Sequence, residues 1–330
     1  MNALANSAQR GSNQYKQRAS KPLNLAGTDL VGQLEKPNVV ARRCGEVWGT
    51  RCGTLVRPPW WAHGQHPSYT SRRRKVTAPD CPPAIMECWS GDLHPGIRGA
   101  VASSPSCPPA TLERLSHDDN YLVRCALTTN PASPDAILRQ LAQDKVLGVR
   151  CALARSATCP HNIMEQLSGD RDISVREALA ANQSCPHSIM EQLSGDRETT
   201  VRAAMAANQS CPPDILEDLN VDSDYIVGIT VIRNPSCPAH ILEQKGRDPD
   251  WVVRTAVASN PSSPPNVVSQ LTTDPSWQVR LGIVEHAPCT PEMLTSMAQD
   301  EAIAVRKAVY NHPTCPRHIR AMWQLAHNQH

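Results

Sequence analysis

Phenylalanine is missing from all 330 residues, and Tyr and Trp bring the aromatic share to only 4%. Aromatic side chains dominate the buried area of large single cores, so one bulky globular core is a poor expectation. No stretch approaches 18 consecutive apolar residues, which excludes a membrane-spanning helix. The N-terminal stretch MNALANSAQRGSNQYK lacks an apolar h-region, so no secretory signal is expected. A Gly-rich phosphate loop, H-E-x-x-H and G-x-S-x-G are absent as well, and the expectation is a protein that is not an enzyme. Proline, at 29 residues, and cysteine, at 13, are plentiful instead. An odd, dense set of thiols without a leader suits a reducing compartment, so a cytoplasmic protein with free cysteines is expected.

The formal net charge of +2 hides a split. Residues 1–80 hold 13 Lys and Arg against 4 Asp and Glu, leaving 20 against 27 for residues 81–330. A basic arm of this kind suits an acidic partner or the acidic body itself. Its densest part is Arg72, Arg73, Arg74 and Lys75. The arm is rich in Pro, Gly, Ser and Arg and shows no sustained period, so residues 1–80 read as largely irregular.

From residue 81 a period of 26 takes over. Cys81, Cys107, Ser133, Cys159, Cys185, Cys211, Cys237, Ser263, Cys289 and Cys315 fall 26 apart without a gap. A second column runs from Asp92 to Asp300 in the same step, and every member is Asp. Six residues after each Asp stands Arg98, Arg124, Arg150, Arg176, Arg202, then Gly228, then Arg254, Arg280 and Arg306. Three unbroken registers define an array of about ten units over 81–330.

Each unit reads as two short helices. The Cys or Ser is placed as N-cap of the first, with Pro82, Pro160, Pro186 or Pro212 at N1 and a buried stripe such as Ile215, Leu216 and Leu219. Gly91, Gly169 and Gly195 suit a left-handed C′ position. The Asp column is placed as cap of the second helix, with Pro249 and Pro275 at N1 and Asp172, Asp224 and Asp250 near N2. Val201, Ala204 and Met205 form its buried face, and Asn130, Asn182, Asn208, Asn234 and Asn260 close it. No period-2 stretch is long enough for a strand. The fold expected is an all-α solenoid in which each unit hides its apolar face against its neighbours.

The pattern of Asp, Val-Arg, a small apolar run, Asn-Pro and Cys-Pro-Pro-x-x-Leu resembles the leucine-rich repeat variant family. VRAAMAANQSCPPDILEDL (201–219) and VRTAVASNPSSPPNVVSQL (253–271) carry it best. The resemblance implies alternating short α- and 3-10 helices wound into a right-handed superhelix, no enzymatic activity, and a role in interaction. It also implies an alternative, because some members carry an N-terminal four-cysteine iron–sulfur module. Cys44, Cys52, Cys81 and Cys88 are the candidate ligands for a 4Fe-4S cluster, though their C-x7-C-x28-C-x6-C spacing departs from the usual tight C-x2-C. His63 and His66 offer a zinc set with Cys44 and Cys52. Without such a site no cofactor is expected.

Uniform columns read as structure: a small buried Cys, and an Arg tied to carboxylates or carbonyls between units. Departures are more informative. Tyr121, Tyr225, Trp251 and Trp277 stand three residues after a column Asp, the last three in consecutive units. On a helix Trp251 neighbours Arg254 and Trp277 neighbours Arg280, opposite the buried face. Tyr225, Trp251, Arg254, Trp277 and Arg280 are therefore the candidate partner-binding residues, since aromatics and Arg dominate interface hot spots. Gly228 and Lys245 interrupt two columns in one unit, and a shallow groove is expected beside Tyr225. A protein partner ranks first; a nucleic acid ranks last, because a solenoid clasping it needs a basic groove.

Overall fold

In the computed structural model, residues 68–78 and 80–327 are described. They belong to a compact unit spanning Pro67–His330 and contain twenty α-helices and no strand. Two helices alternate every 26 residues, as in His187–Ser194 followed by Thr199–Ala207, then Pro213–Asn220 followed by Tyr225–Arg233. Second helices pack on the second helices of the neighbouring units, and first helices pack beside them.

The first helices begin one residue later than the spacing predicts. The N-caps are Pro82, Pro108, Pro160, Pro186 and Pro212, all in extended backbone, and none makes a side-chain cap bond. The fixed φ of proline sets the entry instead. The preceding Cys is buried at N′, where its Sγ–H leans on the proline carbonyl, as in Cys185's neighbours Cys159 (3.8 Å) and Cys211 (3.9 Å). Ser133 and Ser263 fill the same slot and donate to carbonyls six residues earlier, at 2.8 and 2.6 Å. A small side chain with one weak donor is all the slot requires. The helix exits need no left-handed residue either: Gly169 and Gly195 sit at φ −96° and −94°, and Val221 closes the same turn at φ −98°.

The second helices begin three residues after the column Asp. Asp172, Asp224 and Asp250 are the N-caps themselves, each accepting the N–H of the second residue on. The column Asp stands before them and accepts the cap's own N–H, at 2.9 Å for Asp170 and Asp172. That turn leaves a second carboxylate oxygen free to reach the neighbouring unit. Val201, Met205 and Ala206 are buried, whereas Ala204 is only half-buried.

Two polar ladders tie the ends of the second helices across the stack. At the N-terminal end each column Arg up to Arg280 bridges to the Asp twenty residues on. Arg176 Nε and Nη2 donate to Asp196 at 2.6 and 3.1 Å, and Nη1 donates to the carbonyl of its own Asp170 at 2.8 Å. Such two-point pairing is the strong form of the charge-assisted bond. At the C-terminal end each column Asn is buried. Asn208 Nδ2 donates to Ala180 O (2.8 Å) and Asn182 O (3.0 Å) of the preceding unit, while Oδ1 accepts from Ser210 N (2.9 Å). Asn182, Asn234 and Asn260 repeat the geometry. The Asn closes its own helix and caps the carbonyls of the one before, which satisfies the orphan acceptors of a helix end.

The array starts earlier than residue 81. Tyr69–Val76 is a helix that packs on Pro95–Ala102 as a second helix does, and Arg72 bridges to Asp92. The cluster at 72–75 is therefore not part of an irregular arm: Arg72 is the first rung of the ladder, and Arg73 to Lys75 lie on the exposed side.

Between the ladders the core is aliphatic and small. Leu219 is 2% exposed among Ile215, Leu216 and their equivalents. Leu219→Ala is expected to cost about 3 kcal/mol, within the usual range for a buried Leu truncation. A urea midpoint that moves by less than the equivalent of about 0.5 kcal/mol would place this position outside the core.

Candidate functional site

From Tyr121 to Ile303 the residue that opens each second helix points outward. The column holds Tyr121, Leu147, Ile173, Thr199, Tyr225, Trp251, Trp277 and Ile303, and the aliphatic and aromatic members are all exposed. The geometry follows from the local fold. The cap turn fixes the helix start, the third helical residue (Val227, Val253, Val279) faces the core, and the first one cannot.

Tyr225, Trp251 and Trp277 are 54%, 45% and 43% exposed. These rings are half-covered rather than free-standing. Tyr225 shows how: its hydroxyl donates to Asp250 Oδ2 of the next unit at 2.7 Å. Burial, then the Asp250 bond, push its phenol up to about 12. Tyr121 likewise lies over the following unit, close to Gly148. With Ile226, 55% exposed, the consecutive Tyr225, Trp251 and Trp277 make the largest aromatic stretch of the column.

Arg254 and Arg280 do not join that surface. Arg254 donates to Asp274 at 2.6 and 2.9 Å and to Asp248 O at 2.8 Å. Arg280 is buried and bound to Asp300 in the same way, with Glu301 beside it. Their position on the helix places them next to the Trp residues, but their donors are consumed by the ladder. The partner-binding set is corrected to the aromatic members alone.

The expected groove is also elsewhere. A cleft of about 330 Å³ lies between Ala239–Lys245 and Pro265–Leu271, lined by His240, Glu243, Gln244, Arg247, Asn266 and Gln270 with Val267. It belongs to the first helices of the unit where Lys245 replaces a core Leu, not to the flank of Tyr225. The two helices approach so closely there that a Cβ on Gly246 would meet Val267 Cγ1 at 2.9 Å.

Of the candidate metal ligands, Cys44 and Cys52, like His63 and His66, lie outside the described residues. Cys81 sits in the buried slot of its column, and burial, then Asp80, push its thiol up. That environment favours the thiol over the thiolate a metal requires. Cys88 lies half-buried on Pro83–Trp89. Among the described residues no three His, Cys, Asp or Glu side chains converge. His312 serves as a turn cap, its Nδ1 accepting from Thr314 N at 3.2 Å. No helix among the described residues is long and apolar enough to cross a membrane.

The leucine rich repeat variant family model matches residues 95–120. A solved structure described as a leucine-rich repeat variant with a novel repetitive protein structural motif is 26% identical, at a TM-score of 0.46 over 67% of this chain and 88% of that one. No curated protein matches. The matched residues contain Arg98 and Asp118, one complete rung of the ladder, and the same rung returns every 26 residues through Arg280 and Asp300. Over residues 95–120 the chain is similar to the leucine rich repeat variant family, and the unit matched there recurs along the array.

Proposed function

We propose that this array is a non-enzymatic protein-interaction scaffold whose partner lies across Tyr225, Trp251 and Trp277. The observation that carries the reading is the aromatic run itself. Three consecutive units place large, half-exposed rings where the neighbouring units hold Ile, Leu or Thr. A ring held in place by the next unit, as Tyr225 is by Asp250, loses little conformational freedom on binding. The rest of each unit is committed to stacking: Cys, Asp, Arg and Asn columns all bond inward or to a neighbour. A repeat array offers its partner residues at regular spacing, and this column faces outward.

Replacing each ring by Ala is expected to weaken binding of a co-purified partner by roughly 1–3 kcal/mol. Thermal stability should stay within about 1 kcal/mol, because exposed positions contribute little to folding. Loss of several kcal/mol of stability at unchanged affinity would show that the rings are packing and end this assignment.

A further inference from the structure

The Arg–Asp ladder has eight rungs, from Arg72–Asp92 to Arg280–Asp300, and one gap. In a complete rung the Asp carboxylate takes Nε and Nη2 of the preceding unit's Arg, and the Arg's Nη1 reaches the carbonyl of its own column Asp. Gly228 stands where the Arg between Arg202 and Arg254 belongs. Asp248 keeps the cap contact, accepting from Asp250 N at 2.9 Å, and its carbonyl still receives Arg254 Nη1 at 2.8 Å. Its carboxylate has no cationic partner among the described residues. Every other column Asp from 92 to 300 has one.

The space of the missing side chain is open. Gly228 is half-buried, and a Cβ there would meet nothing nearer than Asn220 O at 4.0 Å. The same Asn220 carries a buried Oδ1 with no hydrogen-bond partner. Tyr225 lies three residues before Gly228, so its exposed ring flanks the gap along the helix surface.

We propose that this gap receives an arginine side chain from an extended basic segment of the protein partner. The inference rests on the partner-binding reading of the Tyr225–Trp277 face and names what that face recognises. The seven complete rungs, from Arg98–Asp118 to Arg280–Asp300, supply the chemistry; Arg72 reaches Asp92 through Nη1 alone. The same Asp and carbonyl geometry, repeated along the chain, binds a guanidinium through a forked pair to the carboxylate. A lysine ammonium cannot span the two carboxylate oxygens and the carbonyl at once, so the site selects arginine. The Tyr225 ring adds a face on which a guanidinium stacks.

The test uses acetyl-arginine methylamide and acetyl-lysine methylamide as probes, titrated into the isotope-labelled full chain and followed by NMR at the Gly228 and Asp248 amides. Saturable shifts with the arginine probe, and at least fivefold weaker binding of the lysine probe, are expected. Asp248→Asn should weaken the arginine probe at least tenfold. Gly228→Arg should abolish its binding while raising the unfolding temperature, because the chain's own side chain then completes the rung. Absence of localised saturable shifts, or unchanged affinity in both variants, overturns the proposal. Partner binding still sensitive to Trp251→Ala in that case would leave the scaffold reading standing. Probe binding with a partner indifferent to all three aromatic substitutions would overturn the scaffold reading and leave the arginine receptor.

Discussion

Arg176→Ala is expected to lower the unfolding free energy by about 3–5 kcal/mol, the loss typical when one member of a buried ion pair is removed. Arg176 and Asp196 side chains are 5% and 10% exposed, so neither charge has water to fall back on. The substitution removes two bonds to Asp196 and one to Asp170 O. It leaves Asp196 with only the N–H of Glu198 at 2.9 Å. Burial alone pushes the Asp196 carboxyl up, and the Arg176 bond, that N–H and the Arg charge pull it below the usual carboxylate range. The sign follows: the pair's contribution is present above the unfolded value near pH 4 and is lost as pH falls through the lower folded value. Arg176→Ala should therefore flatten the acid limb of the stability curve. Adding Asp196→Asn to Arg176→Ala should recover part of the loss by removing the unpaired charge. A single-variant loss below about 1 kcal/mol in urea titrations would show that the ladder orders the stack without stabilising it.

Much of the architecture was legible because stacking leaves a periodic record. An Arg six residues after one Asp stands twenty before the next, so the 26-residue step already relates Arg176 to Asp196. The role of the Asn column was not legible in the same way. Asn208 reads as a helix stop, but its reach to Ala180 O and Asn182 O depends on how far one unit is offset on the next. Tyr69–Val76 escaped notice because YTSRRRKV carries one buried residue, Val76, and a single half-unit has no period to betray it. At the candidate site, exposure of Tyr225, Trp251 and Trp277 followed from helical geometry. The commitment of Arg254 and Arg280 did not, because spacing shows that two residues are neighbours and not which neighbour wins a guanidinium. The cleft was misplaced because Lys245 stands on the first helix of the unit that follows Gly228's, away from the flank of Tyr225.

Above pH 9 the stack is expected to lose stability steeply, and the Cys column is the reason. Burial pushes the thiols of Cys107 and Cys185 up to about 11 and those of Cys159, Cys211 and Cys237 up to about 12. In the unfolded chain a thiol ionises near pH 8.5. A raised folded value means that the contribution is fully present below about pH 8.5 and is lost as pH rises towards the folded values. Each such thiol costs up to about 1.4 kcal/mol per pH unit in that window, so five acting together approach 7 kcal/mol per unit. Serine tests the cause, because Ser133 and Ser263 occupy the same slot without disturbing the register. In Cys185→Ser/Cys211→Ser, two titrating groups are gone, and the fall in unfolding free energy between pH 9 and 10.5 should be shallower by about 3 kcal/mol per unit. Urea titrations at successive pH values read this directly. Equal slopes for the wild type and the double variant would mean that the column's thiols reach water in the folded stack, contrary to their burial.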